Sequence, residues 1–276
     1  MRTYYPVLTI AGSDPSGGAG IQADIKTISA IGCYAMSAIT AITAQNTTGV
    51  RSVMPVPTAM VAEQIDMVMT DIPPLAVKIG MLCSAEIAST VADSLDRYHP
   101  DNIVLDPVML SSSGTSLLEK EAIDIIVKRI FPLTTLVTPN LDEARELTGE
   151  IDPVKQIEIL HEMGCRNVLI TGGDSQATDF KTDILSTDGH KNLLELRADA
   201  VSTRNTHGTG CTLSSAVASY LAVGNSLTDS VRLAKLYVTN ALKEGSFVST
   251  GKGHGPLNHF FSPRRLKNFN PNRPKS

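Results

Sequence analysis

Apolar residues recur along the chain in two alternating rhythms. Short runs rich in β-branched side chains read as strands: VLTIA (7–11), AMSAITAI (35–42), LAVKIGM (75–81), NIVLD (102–106), TLVTPN (135–140), NVLIT (167–171) and TDILS (182–186). Most are apolar enough to be buried on both faces. Between them, apolar positions three and four apart predict helices over 19–31, 57–70, 85–98, 117–130, 141–148 and 154–163. Two more follow over 211–223 and 227–245. Strand and helix in alternation imply an α/β fold with one mostly parallel sheet sandwiched between helices. No Ser- or Pro-rich linker, repeat or low-complexity block divides 1–261, so one domain is expected there.

Composition narrows the class of partner. The chain has 24 Lys and Arg against 28 Asp and Glu, a net charge of -4, which argues against nucleic acid. The segment 262–276, SPRRLKNFNPNRPKS, holds five of the basic residues and no acid, leaving 19 against 28, net -9, for the body. It reads as a basic, poorly ordered tail, with polyanion binding as the other reading. Four cysteines, Cys33, Cys83, Cys165 and Cys211, stand far apart with no C-x-x-C pair, which fits a reducing cytoplasm better than a zinc site or a disulfide framework. No apolar run approaches the roughly 18 residues of a membrane span, so no membrane partner is expected.

In open parallel sheets ligands bind beyond the carboxyl ends of the strands, and four such ends carry chemistry. The first strand leads into AGSDPSGGAGIQADIKTI (11–28), a glycine-rich loop before a helix that lacks the spacing of a Walker or dinucleotide loop. In that helix Asp24 shares the face of Ile21, Ile25 and Ile28. A carboxylate there needs a partner, either an internal cation or a ligand. Gln45 and Asn46 follow the second strand, where an amide can read a nitrogenous ring or merely form a turn. Asp106 ends its strand, and Asn140 and Glu143 follow another, as hard oxygen donors or, for the latter two, as a capping box. Finally, THGTGCTLSSAVASYL places Gly208, Thr209 and Gly210 before Cys211 at the start of an uncharged helix. The freed amides form an anion-binding nest, and the helix field is expected to lower the thiol pKa.

Together, GSDPSGGAGIQADIKT, the run through Gln45, KIGML (78–82), LDPVM (105–109), TPNLDEA (138–144), NTHGTGCTLSSA (205–216) and GKGHGP (251–256) closely resemble the hydroxymethylpyrimidine/phosphomethylpyrimidine kinases of thiamine biosynthesis. These are ribokinase-like enzymes with a three-layer α/β/α sandwich. The resemblance covers about 5–261 and implies an ATP- and Mg2+-dependent cytoplasmic kinase, working as a homodimer on a small pyrimidine. It implies Cys211 as general base and Gly208, Thr209 and Gly210 as anion hole. Gly12, Asp24, Gln45, Met81 and Val108 would lie near the pyrimidine. Asp106 and Glu143 would serve the metal, and Asn140, Thr171, Gly173 and Lys252 the nucleotide. Thr171 departs from the lysine of many relatives. Ser111 and Ser112 replace a cysteine of some related pyridoxal kinases. A pyridoxal or pyridoxine kinase and a nonenzymatic pyrimidine sensor are the alternatives.

Overall fold

A computed structural model describes residues 2–109, 118–172, 179–189 and 192–271. The elements run β1 (Thr3–Tyr4), β2 (Pro6–Ser13), α1 (Gly20–Ile31), β3 (Tyr34–Asn46), β4 (Gly49–Pro55), α2 (Thr58–Asp71), β5 (Ala76–Ile79), α3 (Ala85–Tyr98) and β6 (Ile103–Leu105). Then come α4 (Lys120–Ile125), β7 (Leu136–Val137), α5 (Leu141–Thr148), α6 (Pro153–Glu162), β8 (Val168–Ile170), β9 (Phe180–Thr187) and β10 (Asn192–Asp199). The chain closes with α7 (Thr209–Ala222), α8 (Leu227–Gly245) and β11 (Asn268–Phe269). Nine strands form one sheet in the order β10-β9-β8-β7-β6-β5-β2-β3-β4. Pairing is parallel from β8 through β3 and antiparallel at both edges.

Because side chains alternate across a strand, each central strand feeds two cores. Leu8, Ile10, Val77, Ile79, Ile103, Leu105, Val137, Val168 and Ile170 pack with α2, α3, α4 and α6. Their neighbours Val7, Ala76, Val104, Leu136 and Leu169 pack with α1, α7 and α8. This is the expected three-layer sandwich, of the ribokinase-like kind. Among the described residues no helix is long and apolar enough to cross a membrane.

Three expectations change. Residues 49–55 and 192–199 form edge strands that the pattern did not mark, because both are mostly solvent-facing. The helix expected over 117–130 is α4 followed by a wider turn at Ile126–Ile130 and a tight one at Phe131–Leu133. The third change concerns the tail. Residues 262–271 are docked on the body: Arg264 N donates to Ala30 O and Lys267 N to Gly32 O, both at 2.8 Å. β11 pairs antiparallel with β1, and Phe269 packs beside Tyr5 at 4.6 Å between ring centroids. The reason lies in α1, which ends at Gly32 in a left-handed conformation, so its last carbonyls need donors. Residues 272–276 lie outside the described residues.

Phe269→Ala should therefore cost about 1 kcal/mol of stability, the worth of an aromatic pair. Urea unfolding checks it; an unchanged midpoint would mean that the docked segment contributes nothing.

Candidate active site

The carboxyl ends of β2, β3, β5, β6, β7 and β8 open with the start of α7 onto one cleft of about 1030 Å³. Beneath it lies a buried ion pair. Lys78 Nζ in β5 stands 3.0 Å from Asp24 Oδ2, and both side chains are fully buried. Asp24 also accepts from Thr9 Oγ1 at 2.6 Å and Ser215 Oγ at 2.7 Å. Of the two readings left open for Asp24, the internal partner is present, and the carboxylate is not among the residues that line the cleft. Lys78, by contrast, lines the cleft. Burial works against its charge, but Asp24 first, then Cys211 and Asp106, outweigh it and hold the ammonium above the usual lysine range.

The residues of the expected anion nest fall at the start of α7. Gly208 caps α7 with φ 86°, a value that favours glycine, and any side chain there would collide with the Gly18 carbonyl. No side chain caps the helix, so its positive end faces the cleft. Thr209, Gly210 and Cys211 line it. A methyl group at Gly210 would sit 3.5 Å from Asp106 Oδ2, in ordinary contact. The thiol is a correction, however. Burial pushes Cys211 up to about 12, with Asp106 and Asp24 adding to the rise, while Lys78 and the Gly20 backbone pull the other way. The helix field loses to desolvation and two carboxylates, so Cys211 rests as a thiol.

Asn140 and Glu143 form the capping box of α5, each accepting from the other's amide at 2.9 Å. Both also line the cleft, so capping leaves them available to it. Burial raises the pKa of Asp106 despite Lys78, and burial with Asp106 beside it raises that of Glu143. Two buried carboxylates that repel in this way are what a divalent cation would relieve. Among the described residues no cluster of three or more His, Cys, Asp or Glu surrounds a common point. A cation there would need further oxygen ligands from phosphate and water, the habit of Mg2+.

Gln45 lies at the end of β3, which runs to Asn46 instead of stopping at residue 42, and it faces the cleft with Gly12, Met81 and Val108. Gly12 leaves no room for a side chain, which would strike the Met81 thioether methyl. Beside Gln45 on the cleft wall stands a pair not foreseen from the sequence: His207 Nε2 is 2.8 Å from Asp14 Oδ2, both largely buried. It ties the glycine loop to the residue before Gly208.

At the far end Thr171 lines the cleft and bridges to Asn140. Lys252 stands apart from these residues. Its amide and that of Gly253 bond Thr47 Oγ1, each at 3.2 Å, in the β3–β4 turn. That turn is five strand spacings from β8, roughly 24 Å, and Lys252 is not on the cleft wall. The glycines of the loop let it pack on the turn: side chains at Gly251 and Gly253 would strike Thr47. Gly173, Ser111 and Ser112 lie outside the described residues.

Comparison with known proteins bears on this arrangement. The family model described as phosphomethylpyrimidine kinase matches residues 14–258. The hydroxymethylpyrimidine/phosphomethylpyrimidine kinase of Salmonella typhimurium is 44% identical over 262 residues, 92% of this chain and 96% of that protein. The thiamine biosynthesis bifunctional protein ThiED of Geobacter sulfurreducens is 44% identical over 95% of this chain, which spans only 53% of that longer protein. A solved structure of the Staphylococcus aureus pyridoxal kinase, in complex with AMP-PCP and pyridoxal, superposes with a TM-score of 0.84 at 33% identity. It covers 96% of this chain and 97% of the other.

Two outcomes follow from the charges. Lys78→Met strands the Asp24 carboxylate and should cost about 3–5 kcal/mol in urea unfolding; a loss under about 1 kcal/mol would contradict the pairing. Burial alone would raise the pKa of Asp14, but His207, Ser16 and Ala19 override it and hold the carboxyl down to about 2 against 3.8. A lowered folded-state pKa gives stability that is present above 3.8 and lost as pH falls through about 2. It is worth about 2 kcal/mol. The stability gap between wild type and Asp14→Asn should narrow progressively below about pH 4; a constant gap would refute it.

Proposed function

The chain belongs to the phosphomethylpyrimidine kinase family, and from that premise we propose how its cleft works. It is a kinase, with ATP as phosphate donor. It phosphorylates the hydroxymethyl group of 4-amino-5-hydroxymethyl-2-methylpyrimidine and then the resulting monophosphate, in thiamine biosynthesis. The observation that carries the reading is one cleft that joins an uncapped helix end, a buried lysine and two carboxylates at its centre to an amide and an apolar wall at one end.

The ring lies at the Gln45 end, against Met81 and Val108, with Gly12 leaving space for it. Nucleotide lies toward Asn140 and Thr171. The transferring phosphoryl group then meets the amides of Gly208, Thr209 and Gly210 and the Lys78 ammonium between these ends. Such preorganised positive charge usually supplies the largest share of phosphoryl-transfer catalysis. Asp106 and Glu143 fit a Mg2+ ion, which when bound would neutralise phosphate charge. Cys211 stands where the alcohol approaches. Base action by Cys211 requires the thiolate, formed when the resting thiol gives its proton to solvent and favoured by the Lys78 ammonium; the thiolate then takes the hydroxyl proton and returns to the thiol. The second acceptor is already anionic and asks less of it. The reading includes a cytoplasmic homodimer, as the family resemblance implies.

The likeness to a pyridoxal-bound kinase keeps pyridoxal phosphorylation as a second reading. A coupled assay with ATP on the pyrimidine, its monophosphate and pyridoxal separates the two. The pyrimidine pair should turn over far faster; preference for pyridoxal would reverse the assignment. In the same assay Cys211→Ala should slow the hydroxymethyl step by roughly 10²-fold and the monophosphate step much less. Equal losses would give Cys211 another job.

A further inference from the structure

The Asp14–His207 pair lines the cleft beside Gln45, and its hydrogen-bond arithmetic fixes that amide. The His207 Nε2 atom faces Asp14 Oδ2 at 2.8 Å and the Gln45 side-chain amide, whose Nε2 is 3.4 Å away. Asp14 is a carboxylate that already accepts from the Ser16 and Ala19 amides and from Ser16 Oγ. It accepts only, so the hydrogen of the 2.8 Å contact has to be on His207 Nε2. With Gln45 Nε2 turned to the imidazole, a donor therefore faces a donor.

The other end of the amide leads independently to the same conflict. Thr43 Oγ1 lies 2.9 Å from Ser13 O and 3.1 Å from Gln45 Oε1. A hydroxyl has one hydrogen, and two carbonyl oxygens cannot both take it at full strength. Rotating the Gln45 amide by about 180° relieves both ends at once. Its NH2 then donates to Thr43 Oγ1, whose own hydrogen goes to Ser13 O, and its carbonyl oxygen takes the 3.4 Å, weaker arm of a His207 Nε2 hydrogen shared with Asp14, where a donor had faced a donor. Amide oxygen and nitrogen are distinguished only by such networks.

We propose that His207, oriented by Asp14, is a positioning residue that fixes the Gln45 amide with its carbonyl toward the imidazole and its NH2 toward Thr43, so setting the hydrogen-bond pattern offered to the substrate ring. The pattern is one acceptor on the His207 side and one donor on the Thr43 side. An aminopyrimidine edge, with an amino donor beside a ring nitrogen acceptor, matches it in one orientation only, which aims the rest of the ring. A ring lacking that adjacent pair makes at most one of the two bonds. The specificity half of the inference rests on the pyrimidine kinase reading; the orientation half does not. A side chain at Gly18 would collide with the His207 ring, so the loop itself is shaped to keep the imidazole in place.

Two measurements test it separately. A neutron structure of the ligand-free wild type in D2O should show the Gln45 ND2 against Thr43; ND2 facing His207 overturns the proposal whatever the substrate proves to be. In steady-state kinetics, His207→Ala should raise KM for the pyrimidine roughly tenfold, the worth of one lost hydrogen bond, with KM for ATP unchanged. His207→Gln, which can return a donor, should recover part of the loss. Equal increases in both KM values, or no recovery with glutamine, would reduce His207 to a structural role. If wild type fails to phosphorylate the pyrimidine while the neutron result holds, the function reading falls and the orientation stands.

Discussion

The Lys78–Asp24 ion pair is the constraint on which the cleft depends. Burying two opposite charges costs several kcal/mol per ion unless geometry and further hydrogen bonds compensate. Here Asp24, on α1, takes donors from Thr9 on β2, Lys78 on β5 and Ser215 on α7. One carboxylate thus joins two helices and two neighbouring strands directly under the site. The same ammonium acts on Cys211 and Asp106 above it. The pair therefore ties α7 to the sheet through Ser215 and places a positive charge under its first turn.

From that base the cleft divides its labour by position along the sheet. Gln45, His207 and Asp14 stand at the β2–β3 side, and Asn140 and Thr171 at the β7–β8 side. The helix end, Lys78, Cys211 and Asp106 lie between them. The proposed kinase reading uses this order, with acceptor and donor at opposite ends and positive charge where the phosphoryl group would cross. The excess of acidic groups, Asp106 and Glu143 included, leaves room for a cation to complete the balance.

Much of this was legible in the residues. The apolar runs within LAVKIGM and NVLIT marked buried strands, and TPNLDEA carries its capping box in the residue types alone. GTGC was recognisable as a glycine-led helix start, and Gly208 is needed there for its positive φ and its approach to Gly18. What stayed hidden depended on contacts between distant segments. Asp24 looked equally suited to a ligand, since periodicity shows the face of a helix but not what meets it. A lysine inside an apolar strand was the signal for its partner. The Cys211 pKa followed from desolvation and two remote carboxylates, which no local pattern encodes. Lys252 and the docked tail turn on Thr47 and on the end of α1, each more than two hundred residues away in sequence.

A structure with a nonhydrolysable ATP analogue, magnesium and the pyrimidine tests the central claim most directly. The account predicts the terminal phosphoryl group within about 3 Å of amides in 208–211 and near Lys78 Nζ, with the hydroxymethyl oxygen at Cys211 and the ring on Gln45. A ring bound at the Asn140 and Thr171 end, or a terminal phosphate remote from the start of α7, would contradict it.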